Sequence, residues 1–211
     1  MSPRVVDMTV AQSGGPADAV EAGRGERTRG LILEASRQLF LERGYAGTPI
    51  NAITEACGIS RAGFYTYFKD KQEVFTVLGE SAYHDVMTVL SRLDNLSRPF
   101  QRSELRGWIG EYFAFMDRHG AFVLAAWGSA PDEEAFRRSR NRTVARSAFK
   151  LGQALGHGGG GPNDHSPEVI GVAVLGLLDR SWHAWQIQAV AVEKDEMIAA
   201  LADMINKLTD D

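Results

Sequence analysis

Apolar residues along this chain recur three and four positions apart rather than at every second one. From Glu26 onward, Leu31, Ile32, Ala35, Leu39 and Phe40 fall on one face of a helix, with Glu34, Arg37 and Gln38 on the other. Gly44 marks its C-terminal end. Thr48 reads as the N-cap of a second helix that begins at Pro49, where a missing N–H costs nothing. Its inner face is Ile50, Ile53, Ala56 and Cys57, and Gly58 ends it. Ser60 caps a short third helix carrying Phe64, Tyr65 and Phe68. Asp70 caps a longer fourth through Val74, Phe75, Leu78, Tyr83, Val86 and Leu90.

Past a break at Pro99 the helical period continues. A helix is expected at 102–118, broken by Gly120, followed by a short apolar helix with Phe122, Leu124 and Trp127. Gly128 and Pro131 interrupt again. Helices at 132–155, 167–190 and 194–208 follow, the first two separated by a Gly-rich loop at 156–167. Residues 1–25 contain Gly14, Gly15, Pro16, Gly23 and Gly25 and show no apolar period, so they read as an unstructured arm. The expected fold is all-α with about nine helices: an arm at 1–25, a three-helix unit at 26–71 and a larger helical bundle at 72–211.

Composition narrows the class. In 211 residues, 44% hydrophobic and 24% charged, a single cysteine excludes an intrachain disulfide framework and a Cys-based zinc module. No apolar run approaches the ~20 residues of a membrane span, and no charged-then-apolar start marks a secretory signal, so a cytoplasmic protein is expected. His84, His119, His157, His165 and His183 show no metal-ligand spacing; neither a metal nor a cofactor is expected.

The net charge of −4 hides an asymmetry. Residues 24–71 hold eight Lys/Arg against five acids, net +3, while residues 72–211 are net −5. A mildly basic block on an acidic body suggests one surface for a polyanion. That block contains TPINAITEACGISRAGFYTYFKDK at 48–71, which reads as helix, tight turn and helix. Gly58 supplies the backbone freedom the turn needs, and Ile53 and Ile59 pack to set the angle. This is the layout in which a second helix enters the DNA major groove by its N-terminal residues. Ser60 opens that helix, whose free N–H groups favour phosphate. Arg61 can reach a phosphate or a guanine edge, Tyr65 and Tyr67 carry hydroxyls, and Thr48 and Lys71 flank the unit as phosphate donors.

With its Gly58-x-Ser60-x-x-x-Phe64-Tyr65-x-Tyr67-Phe68-x-x-Lys71 spacing, residues 27–75 resemble the N-terminal domain of the TetR family of bacterial transcriptional regulators. The departure is Ala62-Gly63, which leaves base readout to Arg61, Tyr65 and Thr66 or to close backbone approach at Ala62 and Gly63. The resemblance implies a homodimer on a near-palindromic operator, with Arg27 and Arg29 beside the DNA backbone or minor groove. It also implies a C-terminal domain that binds a small molecule, and dimerisation through the helices at about 167–190 and 194–208.

All four tryptophans lie beyond residue 100. Trp108, Tyr112, Phe115 and Met116 share turns of one helix, Trp182 and Trp185 another. With Phe122, Trp127 and Phe149 they are the candidate lining for a hydrophobic effector, aromatic or acyl-chain in character. The expected function is therefore a ligand-responsive DNA-binding regulator, most simply a repressor released by its effector, and not an enzyme. The alternative is a small-molecule-binding protein or enzyme on the same scaffold without operator binding. The GHGGGGP loop formally matches G-x-G-x-x-G, but a helix precedes it where a dinucleotide site needs a strand, and no G-x-S-x-G elbow accompanies it. Arg138, Arg142, Arg146 and Lys150 stack at i, i+4, as on a solvated helix face or one that meets an acidic effector or an acidic partner.

Overall fold

The structure, a computed structural model, describes residues 16–128, 134–156 and 165–209; the side chains at 16–22, 121, 125–128, 134–136 and 139 lie outside that description. Its described residues form eight α-helices and one 3-10 turn: α1 Pro16–Arg43, α2 Ile50–Cys57, α3 Arg61–Tyr67, α4 Lys71–Arg92, the turn Leu93–Asn95, α5 Arg102–Gly128, α6 Glu134–Leu155, α7 Pro167–Gln186 and α8 Lys194–Thr209.

The first helix starts ten residues earlier than Glu26. Pro16 suits a first helical position, and Ala17, Ala19, Glu21 and Ala22 are strong helix formers that carry the chain across Gly23 and Gly25. The unstructured arm expected at 1–25 is thus helical from residue 16; residues 1–15 lie outside the described part. At the other end Gly44 adopts φ 70° and its N–H reaches the Phe40 carbonyl at 3.0 Å, the left-handed stop expected there.

Helix α5 corrects a second expectation. It runs unbroken through Gly120 to Gly128. Gly120 is a packing residue: a Cβ there would sit 2.4 Å from the Trp182 ring. That ring is fully buried, with its Nε1 donating to Asp117 Oδ1 at 2.8 Å. A large aromatic on α7 needs a bare backbone on α5, and glycine supplies it at the cost of some helix propensity. Likewise α7 ends at Gln186, short of residue 190, where the Ile187 and Gln188 N–H groups both close on the His183 carbonyl at 3.0 Å.

Two apolar clusters organise the molecule. Ile32, Leu39, Phe40, Ile53, Phe64, Phe68, Val74, Phe75 and Leu78 form the core of the α1–α3 unit and the start of α4. The larger cluster joins α4 to α8, with Trp108, Ile109, Tyr112, Phe113, Met116, Leu151, Leu178, Trp182 and Leu201 at its centre. Phe122 and Leu41 pack against both. Helices α6 and α7 touch backbone to backbone: a Cβ on Gly171 would lie 1.8 Å from the Ala148 carbonyl oxygen, and one on Gly152 would lie 1.7 Å from that of Pro167. No helix among the described residues is long and apolar enough to cross a membrane.

Candidate DNA interface and effector cavity

The helix–turn–helix is built by local rules. Gly58 takes φ 67° and ψ 31°, and its N–H and that of Ile59 close the end of α2 on Glu55 and Thr54 carbonyls. Ser60 Oγ accepts the Gly63 N–H at 3.0 Å, the expected cap of α3. A Cβ at Gly63 would come within 3.3 Å of that oxygen, so a bare position leaves the cap undisturbed. Asp70 Oδ1 accepts the Glu73 N–H at 2.8 Å, and Glu73 Oε2 accepts the Lys69 N–H at 2.7 Å, fixing where α4 departs.

With Phe64 and Phe68 buried, α3 turns Arg61, Ala62, Tyr65 and Thr66 to solvent on one face. Arg61 is held there: it donates to Asn51 Oδ1 at 2.7 Å and to the Tyr65 hydroxyl at 3.2 Å, with its guanidinium 5.7 Å from the Tyr65 ring centre. Ser60 is exposed beside them, as are Arg27 and Arg29, whose guanidinium stacks 5.0 Å from the Phe68 ring centre. Asn51 was not anticipated; an exposed Asn on α2, one helix away, reveals its place only when the two helices are assembled.

Three expected DNA contacts are placed differently. Thr48 is fully buried, and its hydroxyl donates to the Leu39 and Gly44 carbonyls at 3.1 and 2.8 Å; it ties α1 to the turn, and Pro49 stands at the N-cap position of α2. Lys71 Nζ donates to the Tyr45 and Thr48 carbonyls at 2.6 and 2.8 Å and lies 4.2 Å from the Tyr45 ring centre. Two of its three hydrogens are thereby used inside the domain. Burial also lowers its pKa below the ordinary lysine value. Tyr67 is half-buried against the domain core and lies beside Gly25 of α1. Cys57 is partly buried, its Sγ 3.5 Å from the Leu31 carbonyl, and burial raises its thiol pKa, so it is a packing residue.

Between α4, α5, α6 and α7 lies a cavity of about 90 Å³. Its lining is Ala82, Tyr83 and Val86 from α4; Tyr112, Phe115, Phe122 and Val123 from α5; Arg140, Thr143, Val144 and Ser147 from α6; and Val172, Leu175, Gly176 and Asp179 from α7. An open recess of about 300 Å³, lined by Leu124, Gly176, Asp179, Arg180 and His183, adjoins it. Of the expected effector residues, the cavity gathers Tyr112, Phe115 and Phe122. Trp108 is buried core, its Nε1 donating to the Val89 carbonyl at 2.9 Å, and Met116 and Trp182 are core as well. Trp185 stacks on Phe113 at 6.3 Å, and Phe149 is exposed on α6 away from the cavity. The side chain of Trp127 lies outside the described residues, as does most of the Gly-rich loop.

The cavity's polar end was not anticipated. Asp179 is nine-tenths buried and accepts the Tyr112 hydroxyl at 2.7 Å. Burial pushes its carboxyl up to about 6, against a smaller opposing effect of the Tyr112 hydrogen bond. The same pairing and burial raise the Tyr112 phenol well above its ordinary value. Nothing in a one-dimensional pattern flags Asp179, since an Asp near the C-terminal end of an apolar helix looks like a surface residue. Outside the cavity lining, buried His119 of α5 meets Asp85 Oδ2 of α4 at 2.8 Å, and burial holds its pKa below the ordinary value. On α6, Lys150 pairs with Asp94, while Arg142 and Arg146 are exposed. No cluster of potential metal ligands occurs among the described residues.

Residues 32–78 match the family model for bacterial regulatory proteins of the tetR family. A curated relative, the HTH-type transcriptional repressor DhaR of Mycobacterium sp. (strain GP1), is 28% identical over 93 residues, which is 44% of this chain and 46% of that protein. The chain therefore spans about half the length of that relative. Among solved structures, AibR in complex with isovaleryl coenzyme A and operator DNA superposes with TM-score 0.61 at 22% identity, covering 86% of this chain and 98% of that one. The transcriptional regulator FadR from Bacillus subtilis in complex with stearoyl-CoA gives 0.62 at 15% identity, covering 85% and 96%. At such identities the likeness is one of fold.

Proposed function

From the match of residues 32–78 to the tetR-family model, we propose that the protein is a TetR-family regulator, ligand-responsive, and a repressor that binds operator DNA as a homodimer. The observation that carries this reading is the solvent face of α3. Arg61, Ala62, Tyr65 and Thr66 stand clear of the core, on a helix whose N-terminus is capped and whose angle to α2 is set by Gly58. An arginine oriented by Asn51 and Tyr65 presents a fork matched to guanine O6 and N7, and Arg27 and Arg29 supply phosphate contacts at the flank. The acidic body repels phosphate elsewhere, so attraction is confined to the reading head.

Dimerisation is proposed through α7 and α8, where Val169, Val172, Met204 and Leu208 are exposed. Of the small α7 residues, Gly171 is used against α6 and Gly176 lines the cavity and the recess, so the exposed apolar side chains carry the proposed contact. A two-fold dimer sets two recognition helices against half-sites one DNA turn apart, hence a near-palindromic operator.

The effector is proposed to enter the α4–α7 cavity. At about 90 Å³ the cavity is smaller than the roughly 300–1,000 Å³ of ordinary ligand pockets, so a bound effector moves its walls. Phe122 is one of those walls. Its ring packs 5.0 Å from Phe75 in the core of the DNA-binding unit, and a Cβ on Gly79 of α4 would be 2.6 Å from it. Displacing Phe122 shifts α4 against the recognition helix, and the ligand releases DNA to the extent that it prefers the shifted form. Neighbours of like fold, one in complex with isovaleryl coenzyme A and operator DNA and one with stearoyl-CoA, support the reading of a ligand-binding protein. Mobility shift with the DNA upstream of the protein's own gene, repeated at rising salt, tests the proposal. A discrete complex that outcompetes random DNA is expected; equal binding to every sequence overturns it.

A further inference from the structure

The cavity is mostly apolar, and among its polar lining residues is a buried acid. Asp179 lines both the cavity and the adjoining recess, with the Tyr112 hydroxyl as its hydrogen-bond partner. A carboxylate nine-tenths removed from water and given a single neutral donor is poorly compensated. Four aromatic side chains line the same cavity: Tyr83, Tyr112, Phe115 and Phe122. Aromatic faces and a carboxylate in one cavity are the chemistry that recognises organic ammonium ions, through ring quadrupoles and charge together. Arg140 also lines the cavity, but it is part-exposed on α6 and engaged within the protein. The more deeply desolvated charge dominates recognition, because charge interactions strengthen as water is excluded.

Resting on the reading of this cavity as the effector site, we infer that the effector is an amphiphilic cation: an apolar body with an amine or quaternary ammonium head seated against Asp179. The head brings a positive charge to a carboxylate whose hydrogen-bond partner is the neutral Tyr112 hydroxyl, while Arg140 of the cavity and Arg180 of the recess stand on the same lining. The apolar body lies against Phe115, Phe122 and Val86, and so reaches the residue that contacts the DNA-binding core. An anionic acyl ligand would set like charge against Asp179.

Three probes that share a phenylethyl body decide between charge classes: 2-phenylethylammonium, 2-phenylethanol and 3-phenylpropanoate, titrated calorimetrically into the full chain at pH 7.5. The ammonium is expected to bind at least about tenfold more tightly than the alcohol, with the carboxylate weakest. Asp179→Asn keeps an acceptor for Tyr112 and is expected to cost the ammonium about tenfold while leaving the alcohol nearly unchanged. Tyr112→Phe removes the competing donor and is expected to retain the cation preference, which guards against a misfolded Asn variant. The inference is overturned if the alcohol or carboxylate equals the ammonium, if Asp179→Asn spares ammonium affinity, or if none of the three binds. Anisotropy of labelled upstream DNA on the same wild-type preparation separates the two claims. Operator binding without cation preference removes only the cation inference; cation preference without operator binding removes only the regulator.

Discussion

Replacing Gly171 with alanine tests the close crossing of α6 and α7, two of the helices that wall the proposed effector cavity. The new Cβ would stand 1.8 Å from the Ala148 carbonyl oxygen and 2.8 Å from its Cα. A relaxed carbon–oxygen contact needs about 3.3 Å, so α6 and α7 must part by roughly 1.5 Å at this crossing. The obstacle is backbone on both sides, with no rotamer to turn aside. Alanine gains about 1 kcal/mol in helix propensity. Overpacking costs about 1–3 kcal/mol where side chains can adjust and sits at or above the upper end where they cannot. The net expectation is destabilisation of about 2 kcal/mol, or a fall in Tm of about 4–8 °C for a chain of this size. Gly107→Ala on α5 is the control, since a Cβ there meets nothing within 4 Å, and it should raise Tm slightly. Differential scanning calorimetry of the three proteins reads both. If Gly171→Ala melts at or above the wild type, the close crossing of α6 and α7 is wrong, and the cavity geometry with it.

Arg61→Ala should change the order of preference among operator variants, by about 1–3 kcal/mol at the position it reads, while the salt dependence of non-specific binding changes little; competition mobility shifts measure this. Ser60→Ala removes the α3 cap and should cost about 1 kcal/mol in stability by chemical denaturation. Asp179 is the sign-sensitive case: its folded pKa of about 6 is raised from 3.8, so its favourable contribution is complete below the unfolded value and is lost as pH rises through the folded one. Asp179→Asn should therefore stabilise the protein by about 3 kcal/mol at pH 7.5 and hardly at all at pH 4, in paired thermal melts. Phe122→Ala should leave operator binding in place but blunt its response to effector, measured as the shift in operator affinity at saturating ligand.

The helix order and most boundaries were readable because local rules decide them. Ser60, Asp70, Gly44 and Gly58 act within four residues of themselves, and each sits where its capping or left-handed role requires. The misreadings were tertiary. Gly120 looks like a helix break, but it is space for Trp182, sixty-two residues away in the chain. Gly171 carries no signal of its own in the sequence, yet its missing Cβ is what lets α7 meet the Ala148 backbone of α6. Thr48 and Lys71 carry the chemistry of phosphate ligands, and the structure turns the Thr48 hydroxyl and two of the three Lys71 hydrogens to carbonyls of α1 and the α1–α2 connection. Aromatic richness pointed to the half of the molecule where the proposed effector cavity lies. It could not separate Tyr112, Phe115 and Phe122 from Trp108, Met116 and Trp182, because cavity lining and filled core share one composition. The acid at the cavity's end had no pattern to betray it, since its meaning comes from burial.

The central claim is that α3 reads sequence and the bundle governs that reading. Random-site selection on the full-length protein, followed by anisotropy titration of the selected duplex against a scrambled one, tests it most directly. A near-palindromic consensus bound at least about a thousandfold more tightly than the scramble is expected. An affinity that is the same for both duplexes and falls away in parallel with salt would contradict it.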